Sequence, residues 1–143
     1  MAAQRTAEAV WEGNLVDGHG TVSMVSSGVF GRFPVTWAAR AESPEGKTSP
    51  EELMAAAHAA CYAMALSHHL AEQGSPPERL HVSVTYTFVP GTGITAADLA
   101  VKGSVPGLGA DEFEQMAKDG EQGCPVSNAV RNNVQLTLVA SLD

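Results

Sequence analysis

Residues Ser49–Gly74 read SPEELMAAAHAACYAMALSHHLAEQG and predict one long helix. Ser49 is a good N-cap, Pro50 suits the first helical position, and Glu52 completes a capping box with Ser49. Gly74, with two prolines close behind it, supplies the C-terminal stop. Apolar residues cover so much of the circumference that we expect this helix, of about 24 residues, to be buried.

Strand patterns flank the helix on both sides. Three short strand-like runs precede it, around Thr6–Trp11, Gly20–Ser26 and Phe33–Arg40, and they suggest a meander. After the helix, Leu80–Val89 and Ala97–Val105 alternate apolar with polar residues, which predicts two long antiparallel neighbours.

Two further helices and a closing strand complete the predicted fold. A helix is expected over Ala110–Gly120, a short one opens at Gly123-Cys124-Pro125, and a last strand covers Val134–Leu142. The predicted order is therefore βββαββααβ. This is an α+β fold of antiparallel sheets with a long buried central helix, and residues 1–143 are expected to form one domain.

Composition and charge narrow the possible functions. The 143 residues carry a formal charge of −8 with eight Lys and Arg, which leaves no basic surface for nucleic acid or anionic lipid. No apolar run is long enough to span a membrane, and the first residues, MAAQRTAEAVWEG, lack the apolar region of a secretory signal. We expect a cytoplasmic protein with no nucleic-acid or membrane partner.

The two cysteines, Cys61 and Cys124, are the first candidates for chemistry. In a reducing compartment a permanent bridge is not expected, which leaves core thiols, metal ligands or redox-active thiols. Cys61 lies in the helix among alanines, where a thiol is inert unless a cation is near. Cys124 precedes Pro125 and so lies at a helix start, where free N–H groups stabilise a thiolate.

Five segments carry a family resemblance: WEGN from Trp11, GTVS from Gly20, TSPEEL from Thr48, AAHAACYAMALS from Ala56 and GCPVSNAV from Gly123. In order and spacing they resemble the osmotically inducible protein C (OsmC) branch of the OsmC/Ohr superfamily, over essentially the whole chain. The resemblance implies an intertwined homodimer and a thiol peroxidase that favours organic hydroperoxides. It also implies a dithiol reductant, such as a lipoylated protein. No Gly-rich phosphate-binding motif is found, and no cofactor is expected.

The resemblance also assigns roles to individual residues. It makes Cys61 the thiol that attacks the peroxide and Cys124 the thiol that resolves the product as a disulfide. Glu51 matches the family's glutamate, and Arg40 matches its arginine, with Arg32 as the alternative. Because Glu51 and Cys61 are about 15 Å apart along one helix, we expect Glu51, together with Arg40, to reach Cys61 from the partner subunit.

Two other classes of protein stay open on the sequence alone. A metal site could draw on His58 and Cys61, three residues apart on the helix, with His68, His69 and Cys124 as further ligands. Against this, a single helical His-x-x-Cys lacks the paired pattern of a zinc site, and His58 is more simply a packing residue with one satisfied nitrogen. The third class is a stress-induced binding or storage protein without catalysis.

Overall fold

The element order in the computed structural model, which describes residues 2–29 and 31–143, is βββααββααβ. The α+β class is confirmed, and one short helix is added before the long one. The chain forms two compact units, one ending at Pro50 and the other spanning Glu51–Asp143. The expectation of one domain stays a prediction.

The first unit contains a three-stranded antiparallel sheet. Its strands are β1, Ala7–Glu12, β2, His19–Met24, and β3, Arg32–Val35, with β2 in the middle. The predicted meander is therefore present.

A short helix, α1, corrects the second half of the predicted third strand. The strand ends at Val35, and Trp37–Ala41 is helical instead of extended. The cause is a local cap, because Thr36 Oγ1 accepts the backbone N–H of Ala39 at 3.1 Å. Arg40 consequently lies in the last turn of a helix and not at the end of a strand.

The second unit contains a three-stranded sheet and three helices. Its elements are α2, Pro50–Glu72; β4, Arg79–Val89; β5, Gly93–Ser104; α3, Ala110–Gln122; α4, Pro125–Val130; and β6, Gln135–Leu142. Strands β4 and β5 pair antiparallel, as predicted, but β6 runs parallel to β5, so the sheet is mixed. Parallel pairing is possible because two helices, α3 and α4, provide the crossover between β5 and β6.

Helix α2 has the predicted extent and is buried along one face. It ends where Gly74 adopts a φ of 84° and the N–H of Ser75 donates to the carbonyl of Leu70 at 2.9 Å, as in a Schellman motif. Tyr62, Leu66 and Leu70 are fully buried. The opposite face is exposed in the single chain, and Met64 on it is 72% accessible. The expected burial thus holds for half of the circumference.

The core of the second unit lies between the inner face of its sheet and helices α2 and α3. Phe113 of α3 is fully buried above Gly103 of β5, where an added Cβ would come within 2.6 Å of the ring. The side chain of Leu66 approaches Gly120 in the same way, at 3.0 Å from such a Cβ. These glycines let α3 pack closely against the sheet and α2. Among the described residues, no helix is both long and apolar enough to cross a bilayer.

Candidate active site

The two cysteines lie together in the second unit. Cys61 is in the middle of α2, and Cys124 is the N-cap of α4, as the Cys-Pro dipeptide predicts. The side chain of Cys61 is within hydrogen-bonding range of Cys124, and the backbone N–H of Val126 donates to the Cys61 sulfur. Both thiols are free, Cys124 being fully buried and Cys61 partly exposed. One buried and one accessible cysteine therefore lie side by side.

The turn before α4 holds Cys124 in place. Its backbone N–H donates to the carbonyl of Glu121 at 3.1 Å, and its Sγ accepts the backbone N–H of Ser127 at 3.5 Å. Pro125 occupies the first helical position, where its missing N–H costs nothing. The Cys124 sulfur is thus held by the same backbone that starts the helix.

The environment of Cys61 disfavours its thiolate in the single chain. Burial raises the pKa of Cys61 most, and the neighbouring Cys124 raises it further. The Val126 N–H acts in the opposite direction, because it bonds to the sulfur and favours the negative charge. A thiol with a raised pKa is mainly protonated at neutral pH, and a nearby positive group would favour its thiolate.

A buried polar network lies one helical turn before Cys61. His58 is fully buried, with Nδ1 2.8 Å from the Tyr86 hydroxyl and Nε2 2.7 Å from the Ser127 hydroxyl. Burial lowers the pKa of His58, with Glu121 raising it and Arg131 lowering it more weakly. A neutral imidazole donates from one nitrogen and accepts at the other, so both contacts are satisfied.

This network corrects one expectation about His58 and contains two further residues, Tyr86 and Ser127. His58 does pack between helix and sheet, but both of its nitrogens are bonded and not one. Tyr86 and Ser127 were not singled out from the sequence. Ser127 belongs to the Cys-Pro-Val-Ser segment, at the third position of a helix. A serine at such a position can indicate a side chain that makes a specific hydrogen bond. Tyr86 gives no such signal, since it fits the inward alternation of β4.

An ion pair supports the Cys124 turn from its other side. Arg131 Nη2 lies 2.8 Å from Glu121 Oε1 and 3.1 Å from Asn128 Oδ1. Glu121 is 7% exposed, so its carboxylate depends on this partner. The pair joins the end of α3 to the end of α4, with Cys124 between them.

The other predicted site residues are Glu51, which lies on α2, and Arg40 and Arg32, which belong to the first unit. Glu51 is buried in the first turn of α2, and the helix runs on unbroken to Cys61, about 15 Å away along the axis. Arg40 is half-buried on α1, and Arg32 is exposed at the start of β3.

The histidines do not assemble with the cysteines as metal ligands. Within residues 2–29 and 31–143, no cluster of three or more His, Cys, Asp or Glu side chains is arranged to hold a metal ion. Both nitrogens of His58 are engaged by hydroxyl groups, and His68 lies at the surface, 3.3 Å from Glu72. His69 is 3.9 Å from Asp119.

Known proteins resemble this chain over most of its length. The family described as OsmC-like protein matches residues 43–139. The chain is 37% identical over 139 residues to peroxiredoxin OsmC of Escherichia coli K12, covering 95% of this chain and 96% of the relative. It is also 34% identical over 94 residues to an organic hydroperoxide resistance protein of Xanthomonas axonopodis pv. citri, covering 64% of this chain and 65% of the relative.

Solved structures show the same architecture. An organic hydroperoxide resistance protein from Elizabethkingia anophelis superposes with a TM-score of 0.72 at 25% identity, covering 100% of both chains. An OsmC-like protein from Mycoplasma pneumoniae gives a TM-score of 0.75 at 15% identity, covering 99% of both, and so shares the fold. With the family match over most of its length and a relative that spans nearly all of it, this chain belongs to the OsmC-like protein family.

Proposed function

We propose that this protein is a cysteine-based peroxidase that reduces organic hydroperoxides to alcohols, with Cys61 as the attacking thiol and Cys124 as the resolving one. The observation that carries the proposal is the meeting of the two free thiols, one from α2 and one from the start of α4. A buried sulfur beside a more accessible one suits a second step that must be intramolecular. The names of the relatives, a peroxiredoxin and hydroperoxide resistance proteins, support the same reaction.

The chemistry has two steps. The Cys61 thiolate attacks one peroxide oxygen, the O–O bond breaks, and the alkoxide leaves and takes up a proton to become the alcohol, so that Cys61 is oxidised to a sulfenic acid. Cys124 then attacks the Cys61 sulfur, an S–S bond forms, the S–O bond breaks, and hydroxide leaves as water after protonation. An external dithiol, such as a lipoylated protein, restores the two thiols in the cytoplasm by thiol–disulfide exchange.

We assign Arg40 as the positive group that the first step needs, with Arg32 as the alternative. A guanidinium can lower the pKa of an attacking thiol and also bond the peroxide oxygens and the departing alkoxide. Glu51 is assigned to hold that guanidinium in place through a carboxylate–guanidinium pair.

A homodimer follows from these assignments. Glu51 lies about 15 Å from Cys61 on one unbroken helix, so a shared site needs the Glu51 of a second subunit. The exposed face of α2 offers the surface for such contact, since it carries Ala56, Ala57, Ala60 and Met64. Small apolar side chains allow two helices to approach closely. Contact between two subunits would bury the apolar face of α2 that is exposed in the single chain.

The test is intact-mass spectrometry after one equivalent of cumene hydroperoxide. The wild-type chain should consume the peroxide and lose two hydrogens as the disulfide forms. Cys124→Ser should consume its one equivalent and stop at the Cys61 sulfenic acid, and a second equivalent should carry that acid to the sulfinic acid. Cys61→Ser should leave the peroxide unconsumed. Consumption of the peroxide by Cys61→Ser, or a wild-type chain that leaves the peroxide intact, would overturn the proposal.

A further inference from the structure

His58 connects the helix of Cys61 to the helix of Cys124. It stands three residues before Cys61 on α2, so the two side chains point to neighbouring positions on one helix face. Its Nε2 is 2.7 Å from the hydroxyl of Ser127, and the backbone N–H of Ser127 donates to Cys124 Sγ at 3.5 Å. A short chain of hydrogen bonds therefore runs from the helix of one thiol to the sulfur of the other.

This chain of contacts lies in a fully buried region. His58, Ser127 and Cys124 are each 0% exposed. Away from water, a lost hydrogen bond leaves a polar group that no solvent molecule can satisfy, which makes the contact between His58 and Ser127 costly to break. The start of α4 is thereby tied to α2 at a defined distance.

We propose that His58 is a positioning residue for the resolving step: through Ser127 it holds Cys124 against the Cys61 helix, so that the sulfenic acid on Cys61 is captured before a second peroxide reaches it. The inference rests on the proposed function, because it concerns the lifetime of the Cys61 sulfenic acid. Both ring nitrogens of His58 are bonded to hydroxyl groups, so the imidazole is assigned no part in the attack on the peroxide.

The competition is between two reactions of one intermediate. In the first, Cys124 displaces hydroxide from the Cys61 sulfenic acid and forms the disulfide. In the second, the sulfenate attacks another peroxide molecule, breaks its O–O bond, and becomes a sulfinic acid while an alcohol is released. Resolution is intramolecular and depends on the placement of Cys124, whereas overoxidation depends on peroxide concentration.

The second bond of His58 provides a matched control. Tyr86 Oη lies 2.8 Å from Nδ1 and Ser127 Oγ lies 2.7 Å from Nε2, but Tyr86 belongs to β4, whereas Ser127 is part of α4 itself. Ser127→Ala and Tyr86→Phe each delete one buried hydroxyl from the same imidazole. If the role of His58 is merely structural, the rate of disulfide closure should fall similarly in both variants. If His58 positions Cys124, the rate should fall chiefly in Ser127→Ala.

The experiment is rapid-quench mass spectrometry with cumene hydroperoxide, at a temperature where every variant is folded by circular dichroism. His58→Ala and Ser127→Ala should form the Cys61 sulfenic acid at the wild-type rate, but close the disulfide about tenfold more slowly. The peroxide concentration that converts half of the protein to sulfinic acid should fall by about the same factor. Tyr86→Phe and the surface variant His68→Ala should resemble the wild type.

Two additions keep the result decisive. Ser127→Ala removes one oxygen atom and tests the contact even if His58→Ala does not fold. The double variant should close the disulfide no more slowly than either single variant, because both residues act through one bond. Wild-type rates of disulfide closure in Ser127→Ala, or an equal loss in Tyr86→Phe, would overturn the inference. A wild-type chain that never forms the Cys61–Cys124 disulfide would instead overturn the proposed function.

Discussion

The guanidinium of Arg131 and the carboxylate of Glu121 form an ion pair of 2.8 Å across the turn that carries Cys124. Glu121 is almost completely buried, so removing its partner leaves a charge without solvent. We expect Arg131→Met to lower the free energy of unfolding by about 3 kcal/mol, measured by urea denaturation. Glu121→Gln in the same chain should recover part of this loss.

The matched control for that prediction is an ion pair at the surface. Lys118 and Glu114 are 3.2 Å apart on α3 with more than half of each side chain exposed. Because water screens such a pair, Lys118→Met should cost less than about 0.5 kcal/mol. Equal losses in Arg131→Met and Lys118→Met would contradict the view that burial makes the Arg131 pair important.

A second prediction concerns acid stability. Burial lowers the pKa of His58, while Tyr86 and Ser127 bond its ring and Glu121 and Arg131 act on it with opposite signs. Below about pH 6.5 the unfolded chain binds a proton on this histidine that the folded chain refuses, so the unfolded state gains stability as the pH falls. The free energy of unfolding should drop by up to about 1.4 kcal/mol for each pH unit below that point.

The corresponding measurement is a series of urea titrations between about pH 7 and pH 5. His58→Gln should be less stable than the wild type near neutrality, but should lose less stability on acidification, because the titrating group is gone. His68→Gln, at an exposed position, should keep the wild-type slope. Parallel curves for wild type and His58→Gln would show that His58 is not the group responsible.

The sequence predicted the second unit better than the first. Helix α2 was predicted nearly to the residue because its start and stop signals, Pro50 and Gly74, are local. Helix α1 was missed, since five residues have no periodicity and the helix depends on the cap at Thr36. The parallel direction of β6 was also missed. Alternation of apolar residues fixes which face of a strand is buried, but not the direction in which it runs.

The site shows the same division between local and long-range information. The resemblance indicated Cys61 and Cys124 as a pair, and the structure places them in contact. The bonds of His58 span 28 residues to Tyr86 and 69 residues to Ser127, and such partners exist only once the chain is folded. No spacing rule could have named them.

A third prediction concerns substrate choice. Ala57 and Met64 flank Cys61 on the exposed side of α2, both are apolar, and in the proposed dimer they would lie beside the shared site. Each substrate methylene buried against such surface is worth about 0.8 kcal/mol, or about fourfold in kcat/KM, and hydrogen peroxide has none. We expect cumene hydroperoxide to be reduced more efficiently than hydrogen peroxide in steady-state assays.

Met64 supplies the variant that isolates this effect. Met64→Gln should lower kcat/KM for cumene hydroperoxide with little change for hydrogen peroxide, whereas Val139→Gln, at an exposed site on β6, should alter neither. A wild-type enzyme that handles both peroxides equally well would count against an apolar approach to Cys61.

A fourth prediction assigns the arginine. Burial and Cys124 raise the pKa of Cys61 in the single chain, so we expect a neighbouring cation to increase the fraction of thiolate. Arg40→Met should move the pH midpoint of Cys61 alkylation by iodoacetamide upward, followed on the Cys61 peptide by mass spectrometry. Arg32→Met should leave the midpoint in place. The reverse result would transfer the role to Arg32.

The last prediction tests whether the active site is shared between subunits. Helix α2 is continuous from Pro50 to Glu72, so Glu51 cannot fold back to Cys61 of its own chain by a break in the helix. Glu51→Ala and Cys61→Ser homodimers should each be inactive or nearly so. Refolded together, they should give heterodimers with one site carrying both changes and one site intact, and about a quarter of wild-type activity in the statistical mixture, where half the dimers are mixed. Tagging each chain differently isolates the heterodimer, whose activity should approach half of the wild-type value. Isolated heterodimers without activity would mean that the Glu51 side chain does not complete the Cys61 site of the partner subunit.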